Sequence, residues 1–261
     1  MADTPAVAIR DLYFAYDDAP VVEAAHVTIE PLDFVGIVGP NGGGKTTLLK
    51  LMLGLLEPVR GTVRVFGERP ERARRRVGYV PQSFQYDPQF PSTLTDVVLM
   101  GRLGKAAFFG PYRGADRNAA ARALHEVGLS DLGDRPFGAV SGGQRQRALI
   151  ARALASGADM LMLDEPTAHV DSAAESEVYS LLRDLNRAMT IIVVTHDLSF
   201  VSKFVKNVLC VNRRVATHPT CDIDDVTGDL LKQTYGPDWK MVRHDQHCEE
   251  GDPECSTSGA P

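Results

Sequence analysis

No stretch of this sequence approaches the eighteen or so consecutive apolar residues that a helix needs to cross a bilayer, so any role at a membrane must pass through another chain. Cysteine is scarce: Cys210, Cys221, Cys248 and Cys255 show no CxxC spacing, which argues against a disulfide framework and for a reducing compartment. No apolar run follows Met1, and Asp3 brings an acid early, so no secretory signal is expected. An excess of positive charge is missing too. The formal net charge of −6 gives no overall attraction to nucleic acid, and no such partner is expected. What remains is ordinary globular composition: 261 residues, 44% hydrophobic and 24% charged, long enough for one large domain with a subdomain and an unstapled core.

Against that background one stretch stands out. Gly39-Pro40-Asn41-Gly42-Gly43-Gly44-Lys45-Thr46-Thr47 fits the pattern G-x-x-x-x-G-K-[ST]. It follows a strand-like run with Phe34, Val35, Ile37 and Val38, and it precedes Leu48, Leu49, Leu51, Met52, Leu53, Leu55 and Leu56 as the apolar positions of a helix. A phosphate-binding loop needs this strand-loop-helix context. The glycines lack a Cβ, so the backbone can turn tightly and aim N–H groups at phosphate oxygens, aided by the positive end of the helix. Lys45 would then reach the β- and γ-phosphates, and the Thr46 hydroxyl would bind Mg²⁺.

The chain before this loop alternates like two strands, Val7 to Tyr16 and Val21 to Ile29, joined by a turn holding Asp17, Asp18 and Pro20. Tyr16 ends the first, where its ring could stack on a nucleotide base or pack on strand neighbours. After the loop's helix come a strand from Thr62 to Phe66, a basic run with Arg72, Arg74, Arg75 and Arg76 that reads as a solvated face, and a short strand from Val77 to Val80 delivering Gln82. An amide oxygen on a mobile loop can ligate Mg²⁺ or position a water. From about Thr93 to Leu132 the pattern is helical: one helix capped by Thr95 with Asp96, another from Ala119 to Val127 closed by Gly128. Between them Phe108-Phe109-Gly110-Pro111-Tyr112-Arg113 is an aromatic loop, suited to local packing or to docking a partner.

Ser141-Gly142-Gly143-Gln144 reads as a capping box, Ser141 at the N-cap and Gln144 three residues on. The two intervening glycines are poor helix formers; they expose bare N–H groups at a helix start and offer a second anion site. Met160 to Leu163 is an apolar strand ending in Asp164 and Glu165. Ligands gather at the carboxyl ends of parallel strands, which brings these carboxylates to the edge that carries Lys45. Asp164 would hold Mg²⁺, and Glu165 would polarise the water attacking the γ-phosphorus. The next such strand, Ile191 to Thr195, delivers His196 to the same edge, where it could sense the γ-phosphate.

Taken together, Tyr16, Gly39 to Thr47, Gln82, Ser141 to Gln144, Met160 to Glu165, Asp171 and His196 resemble the A-loop, Walker A, Q-loop, signature, Walker B, D-loop and switch histidine of ABC-type ATPases. The resemblance covers about residues 5 to 215. It implies an α/β P-loop NTPase with a RecA-like core, an antiparallel β subdomain and an inserted α-helical subdomain at about 88–140, within an ATPase domain spanning 1–236. It further implies an ATP- and Mg²⁺-dependent hydrolase working as a homodimer, each ATP lying between the Walker A of one copy and the signature of the other, with Asp171 crossing the interface. Two departures stand out: Val140 where the signature usually begins with Leu, and Leu32-Asp33 where Gly-Glu is common, which leaves the geometry of that turn open.

Within the family the sequence is similar to ATPases of zinc- and manganese-type metal-ion importers, through Val65-Phe66-Gly67, Ala168-His169-Val170-Asp171, Thr195 to Ser202 and Val211-Asn212-Arg213. Such a subunit would sit peripherally on the cytoplasmic face of the inner membrane, bound to a permease and acting indirectly with an extracytoplasmic metal-binding protein. A soluble ABC ATPase of DNA repair, translation or cofactor assembly, or the ATPase of a transporter for another cargo, remain the alternatives; the acidic charge and the lack of a long coiled-coil insertion weigh against the first. Beyond about Pro237 the sequence turns polar, and a flexible tail is expected over 237–261. It contains His244, His247, Cys248 and Cys255, donors suited to Zn²⁺ though at no structural zinc spacing, so weak metal sensing and a plain solvated terminus are both open.

Overall fold

The computed structural model describes residues 4–84, 87, 91–103, 111–168, 170–197, 201 and 204–219. Strands β1 (Val7–Tyr16) and β2 (Ala19–Ile29) pair antiparallel through a tight turn in which Asp17 takes a left-handed φ of 50°. Pro20, expected in that turn, instead lies at the start of β2, an edge strand, where proline is tolerated. β3 (Phe34–Val38) is buried at every residue. In the turn before it, Leu32 adopts the φ of 63° that glycine would take without strain. Two bonds hold it: the Leu32 N–H donates to Thr190 Oγ1 at 2.9 Å, and Asp33 Oδ2 accepts from the Glu30 N–H at 3.0 Å.

Helix α1 (Lys45–Met52) stops sooner than its apolar pattern suggests. Gly54 turns left-handed at φ 63° and the Leu55 N–H closes back on the Lys50 carbonyl at 2.9 Å, so Leu55 and Leu56 lie past the helix and Leu55 is exposed. β4 (Arg60–Val65) completes a three-stranded sheet in the order β2-β1-β4. The arginine run folds into α2 (Pro70–Ala73) and a 3₁₀ turn; its side chains are exposed as expected, yet two have fixed partners. Arg74 donates to the Leu53 and Gly54 carbonyls, and Arg76 pairs with Asp159 at 2.6 Å while lying 3.9 Å over the Phe66 ring.

After β5 (Val77–Val80), helix α3 (Leu94–Leu99) is capped by Thr93, not Thr95. Thr93 Oγ1 accepts from the Asp96 N–H at 3.1 Å and Asp96 Oδ2 from the Thr93 N–H at 2.9 Å, because only Thr93 stands three residues before the acid. The Thr95 hydroxyl donates instead to the Gly133 carbonyl at 3.0 Å. α4 (Gly114–Glu126) begins five residues ahead of Ala119, where Asp116 accepts the Arg113 N–H at 3.1 Å, and it ends before Gly128 as expected. Of the aromatic loop, Phe108, Phe109 and Gly110 lie outside the described residues, while Tyr112 packs against the core. α5 (Gly142–Ala155), β6 (Met160–Asp164), α6 (Ser172–Leu185), β7 (Thr190–Val194), β8 (Asn207–Asn212) and β9 (Arg214–Pro219) complete the described elements.

The second sheet runs β5-β6-β7-β3-β8-β9, with β9 antiparallel to β8 and the other neighbours parallel. Buried parallel strands carry apolar residues on both faces, and here alternate residues of β6 and β7 feed two cores. Leu161, Leu163, Ile191 and Val193 face one core with α3, α4 and α5, while Met160, Met162, Ile192 and Val194 face the other with α1 and the three-stranded sheet. Phe137, in a 3₁₀ turn just before α5, is 1% exposed and meets Phe84 edge to face at 5.8 Å. Phe137→Ala should therefore destabilise the protein by about 3–5 kcal/mol. A urea-unfolding midpoint equal to that of the wild type would show that this ring does not anchor the helical layer.

Candidate active site

The central strand β3 aims the glycine loop out of the carboxyl edge of the sheet, and the glycines are needed there for definite reasons. A Cβ on Gly39 (φ 152°) would lie 2.0 Å from the Val211 carbonyl of β8, and one on Gly44 (φ 103°) would lie 2.7 Å from the Val21 carbonyl of β2. Gly42 differs. Its φ of 76° is left-handed, yet a Cβ there would meet nothing within 4 Å, so its bare backbone faces open space. That space is a cleft of about 950 Å³ lined by Tyr16, the loop from Gly39 to Thr47 except Gly43, Gln82, Glu165, His196 and Val21. Gly43 is held instead under the loop, its N–H donating to the Pro40 carbonyl at 3.0 Å and its carbonyl accepting from Arg213 at 3.0 Å.

Lys45 is 7% exposed and folds back to donate to the carbonyls of Gly39 (2.9 Å) and Pro40 (3.0 Å). Burial pulls its pKa below the ordinary lysine value, and the charges of Glu165 and Asp164 oppose that. Asp164, at the end of β6 and 2% exposed, is pushed the other way: burial raises its pKa, the Thr46 hydrogen bond opposes, Glu165 adds to the rise, and Lys45 and Lys50 oppose. The Thr46 hydroxyl donates to Asp164 Oδ1 at 3.3 Å. A buried ammonium, and a buried carboxylate bonded to a threonine hydroxyl, fit an anionic phosphate and a hard cation that takes oxygen donors.

Beyond the last ladder residue of β6, Glu165 adopts φ 47°, a left-handed conformation that costs a non-glycine residue about 1–2 kcal/mol. Its carboxylate accepts from Gln82 Nε2 at 2.7 Å through Oε2, and Oε1 lies 3.7 Å from His196 Nδ1. Gln82 thus turns its amide nitrogen to Glu165, leaving its carbonyl oxygen directed away from that carboxylate. Tyr16 stands at the rim, 46% exposed, with Phe14 braced against it edge to face at 4.9 Å. The structure therefore brings together Tyr16, the loop, Gln82, Asp164, Glu165 and His196. Val21 at the wall carried no sequence signal, since its side chain is one of many in an alternating strand.

Ser141, Gly143, Gln144 and Asp171 do not line this cleft. Ser141 and Gln144 form the expected capping box, with Gln144 N–H to Ser141 Oγ at 3.2 Å and Ser141 N–H to Gln144 Oε1 at 3.0 Å. Gly143 has a packing reason that the sequence did not suggest: a Cβ there would lie 2.6 Å from the Ala174 Cβ of α6. Asp171 caps α6, accepting the Ala174 N–H at 2.9 Å. Gly142 faces a smaller cavity of about 240 Å³ that Gln82 and Glu165 also border. His244, His247, Cys248 and Cys255 lie outside the described residues; among the described residues no group of three His, Cys, Asp or Glu side chains could hold a metal ion, and no helix is long and apolar enough to cross a membrane.

Comparisons with known proteins bear on the family and the fold. The family model described as ABC transporter matches residues 22–168. The zinc transport system ATP-binding protein TroB of Treponema pallidum is 40% identical over 88% of this chain and 87% of its own length. The manganese transport system ATP-binding protein MntB of Bacillus subtilis is 38% identical over 88% and 92%. Among solved structures, an ABC transporter assigned to the metal-chelate type, in an inward-facing conformation, superposes with a TM-score of 0.80 at 33% identity, covering 89% of each chain. With a family model matched over more than half of its length and relatives of about 40% identity along most of theirs, the chain belongs to the ABC transporter family, among its ATP-hydrolysing ATP-binding subunits.

Proposed function

We propose that this chain is the ATP-binding and ATP-hydrolysing subunit of an importer for a divalent metal ion, zinc or manganese, peripheral to the cytoplasmic face of the membrane. It would act with separate permease subunits and, through them, with an extracytoplasmic metal-binding protein. The placement of Glu165 carries the hydrolytic part: a carboxylate bonded to Gln82 and near His196, at the mouth of a cleft whose floor holds Lys45. The names of the relatives support the metal cargo and favour transport over a soluble role.

Each residue then has a task. The N–H groups of the loop from Gly39 to Thr47 and the Lys45 ammonium neutralise phosphate charge, and Tyr16 offers its ring to the base. Thr46, Asp164 and Gln82 would hold Mg²⁺, which supplies charge compensation on the phosphate oxygens. Glu165 accepts the proton of the attacking water, and His196 stands where the γ-phosphate is read. Ser141 and Asp171 are exposed and, with Gln144, bond only to their own helix starts, and we assign Ser141 to Gln144 and Asp171 to the cleft of a second copy in a homodimer. Closure and reopening of that dimer would reach the permease through α3, α4 and α5. In the tail, His244, His247, Cys248 and Cys255 are assigned a weak zinc-buffering role.

A strain whose single copy carries Glu165→Gln should need added zinc or manganese for growth, and the purified variant should bind ATP while its turnover falls at least about a hundredfold. Normal growth in metal-depleted medium beside absent turnover would remove the metal-import reading. Asp164→Asn should also abolish turnover, yet raise the thermal midpoint of the nucleotide-free protein, by about 2–4 °C for each kcal/mol of relieved desolvation. The sign follows from the raised pKa: the charged form is the one disfavoured, so its cost is absent at acid pH and grows as pH rises through that value. A lower midpoint for Asp164→Asn would contradict it.

A further inference from the structure

Two loops carry the groups assigned to the γ-phosphate end, one following β6 with Glu165 and one following β7 with His196. No hydrogen bond joins the two side chains: His196 Nδ1 lies 3.7 Å from Glu165 Oε1, an ion pair only when the imidazole is protonated. Glu165 also sits in a strained backbone conformation, which persists only where its surroundings impose it. Both facts call for a restraint from elsewhere, and one lies in the core.

Tyr179 of α6 is 4% exposed, on the helix face that buries Val178 and Leu182. Its phenol oxygen lies 3.0 Å from Thr167 Oγ1 and 3.3 Å from Thr195 Oγ1. Thr167 follows Glu165 by two residues and Thr195 immediately precedes His196. Thr195 Oγ1 also accepts the Asp197 N–H at 3.0 Å, which closes the chain of bonds around His196. Burial pushes the Tyr179 pKa up to about 12, against the bonds from Thr167 and Thr195, so the phenol stays protonated at working pH and always has one O–H to donate. Packing alone would be met by phenylalanine, which fills nearly the same volume; the hydroxyl is explained by what it joins.

We propose that Tyr179 is a positioning residue for hydrolysis: its hydroxyl ties the loop of Glu165 to the loop of His196 through Thr167 and Thr195, so that the two groups keep one geometry relative to the γ-phosphate. This rests on the roles given above to Glu165 and His196. Tyr179 touches no reacting atom, so its loss costs rate without costing nucleotide affinity.

The test is steady-state ATP hydrolysis by the purified full chain carrying Tyr179→Phe, with Glu165→Gln as a control. kcat should fall about five- to tenfold, with KM for ATP within about twofold of wild type and the protein still folded. Thr195→Val should show a defect at least as large, Thr195→Ser should keep the wild-type rate, and Tyr179→Phe with Thr195→Val should lose less than the product of the two single losses, because both remove the shared bond between Tyr179 and Thr195. If Tyr179→Phe does not fold, the contrast between Thr195→Ser and Thr195→Val still decides: equal rates overturn the proposal. A wild-type kcat in folded Tyr179→Phe, or additive losses in the double variant, overturns it as well. Hydrolysis surviving in Glu165→Gln would instead overturn the underlying assignment of the site, whereas an inactive Glu165→Gln beside a fully active Tyr179→Phe would sink this inference alone.

Discussion

A lysine and an aspartate, both withdrawn from water at the carboxyl edge of one sheet, set the terms for everything around them. Neither Lys45 nor Asp164 is comfortable as an ion where it lies; burial lowers the pKa of the first and raises that of the second. They are kept there by β3 and β6, which flank β7 and are buried along their whole length, so the charges cannot retreat without breaking the sheet. In the chain itself Lys45 leans on the carbonyls of Gly39 and Pro40, and Asp164 on the Thr46 hydroxyl. Those are substitute partners. A polyphosphate with a hard cation would satisfy both groups at once, and stability given up in the bare protein becomes binding energy for nucleotide.

The second consequence concerns the mouth of the cleft. β6 delivers its last buried residue as Asp164, and the chain then turns sharply at Glu165, whose left-handed φ aims the next carboxylate at Gln82 rather than along the strand's alternation. Such a turn needs anchors on both sides. On one side the Glu165 N–H continues the ladder to the Val194 carbonyl at 3.0 Å; on the other the hydroxyls of Thr167, Tyr179 and Thr195 link the two loops. In the proposed mechanism, the strain at Glu165 and the buried polar chain beneath it are two parts of one device.

Much of this was legible in the sequence wherever a residue's task is local. The glycine loop, the capping box of Ser141 and Gln144, and the delivery of Asp164 and His196 to the carboxyl edge by the strands before them are readable because backbone geometry over a few residues dictates them. The cap at Thr93 is of the same local kind, since the three-residue spacing to Asp96 favours it above Thr95. Other features depend on parts of the chain that sequence order keeps apart. Gly143 must be bare because Ala174 crowds it, Leu32 holds its strained turn through Thr190, and Tyr179 meets threonines twelve and sixteen residues away. No periodicity within one element reveals a contact of that kind.

The helix start at Ser141 lies outside the cleft of its own chain, and the proposal that the cleft is half a site, completed by that helix start from a second copy, is open to direct test. Sedimentation velocity of Glu165→Gln in Mg²⁺ and ATP addresses this most directly, with and without an added Ser141→Arg. A shared site requires a dimer in the first case and a monomer in the second, with ATP still bound to each monomer at the Lys45 cleft. Dimers that persist with arginine at position 141, or an ATP-loaded Glu165→Gln that remains monomeric, would contradict it.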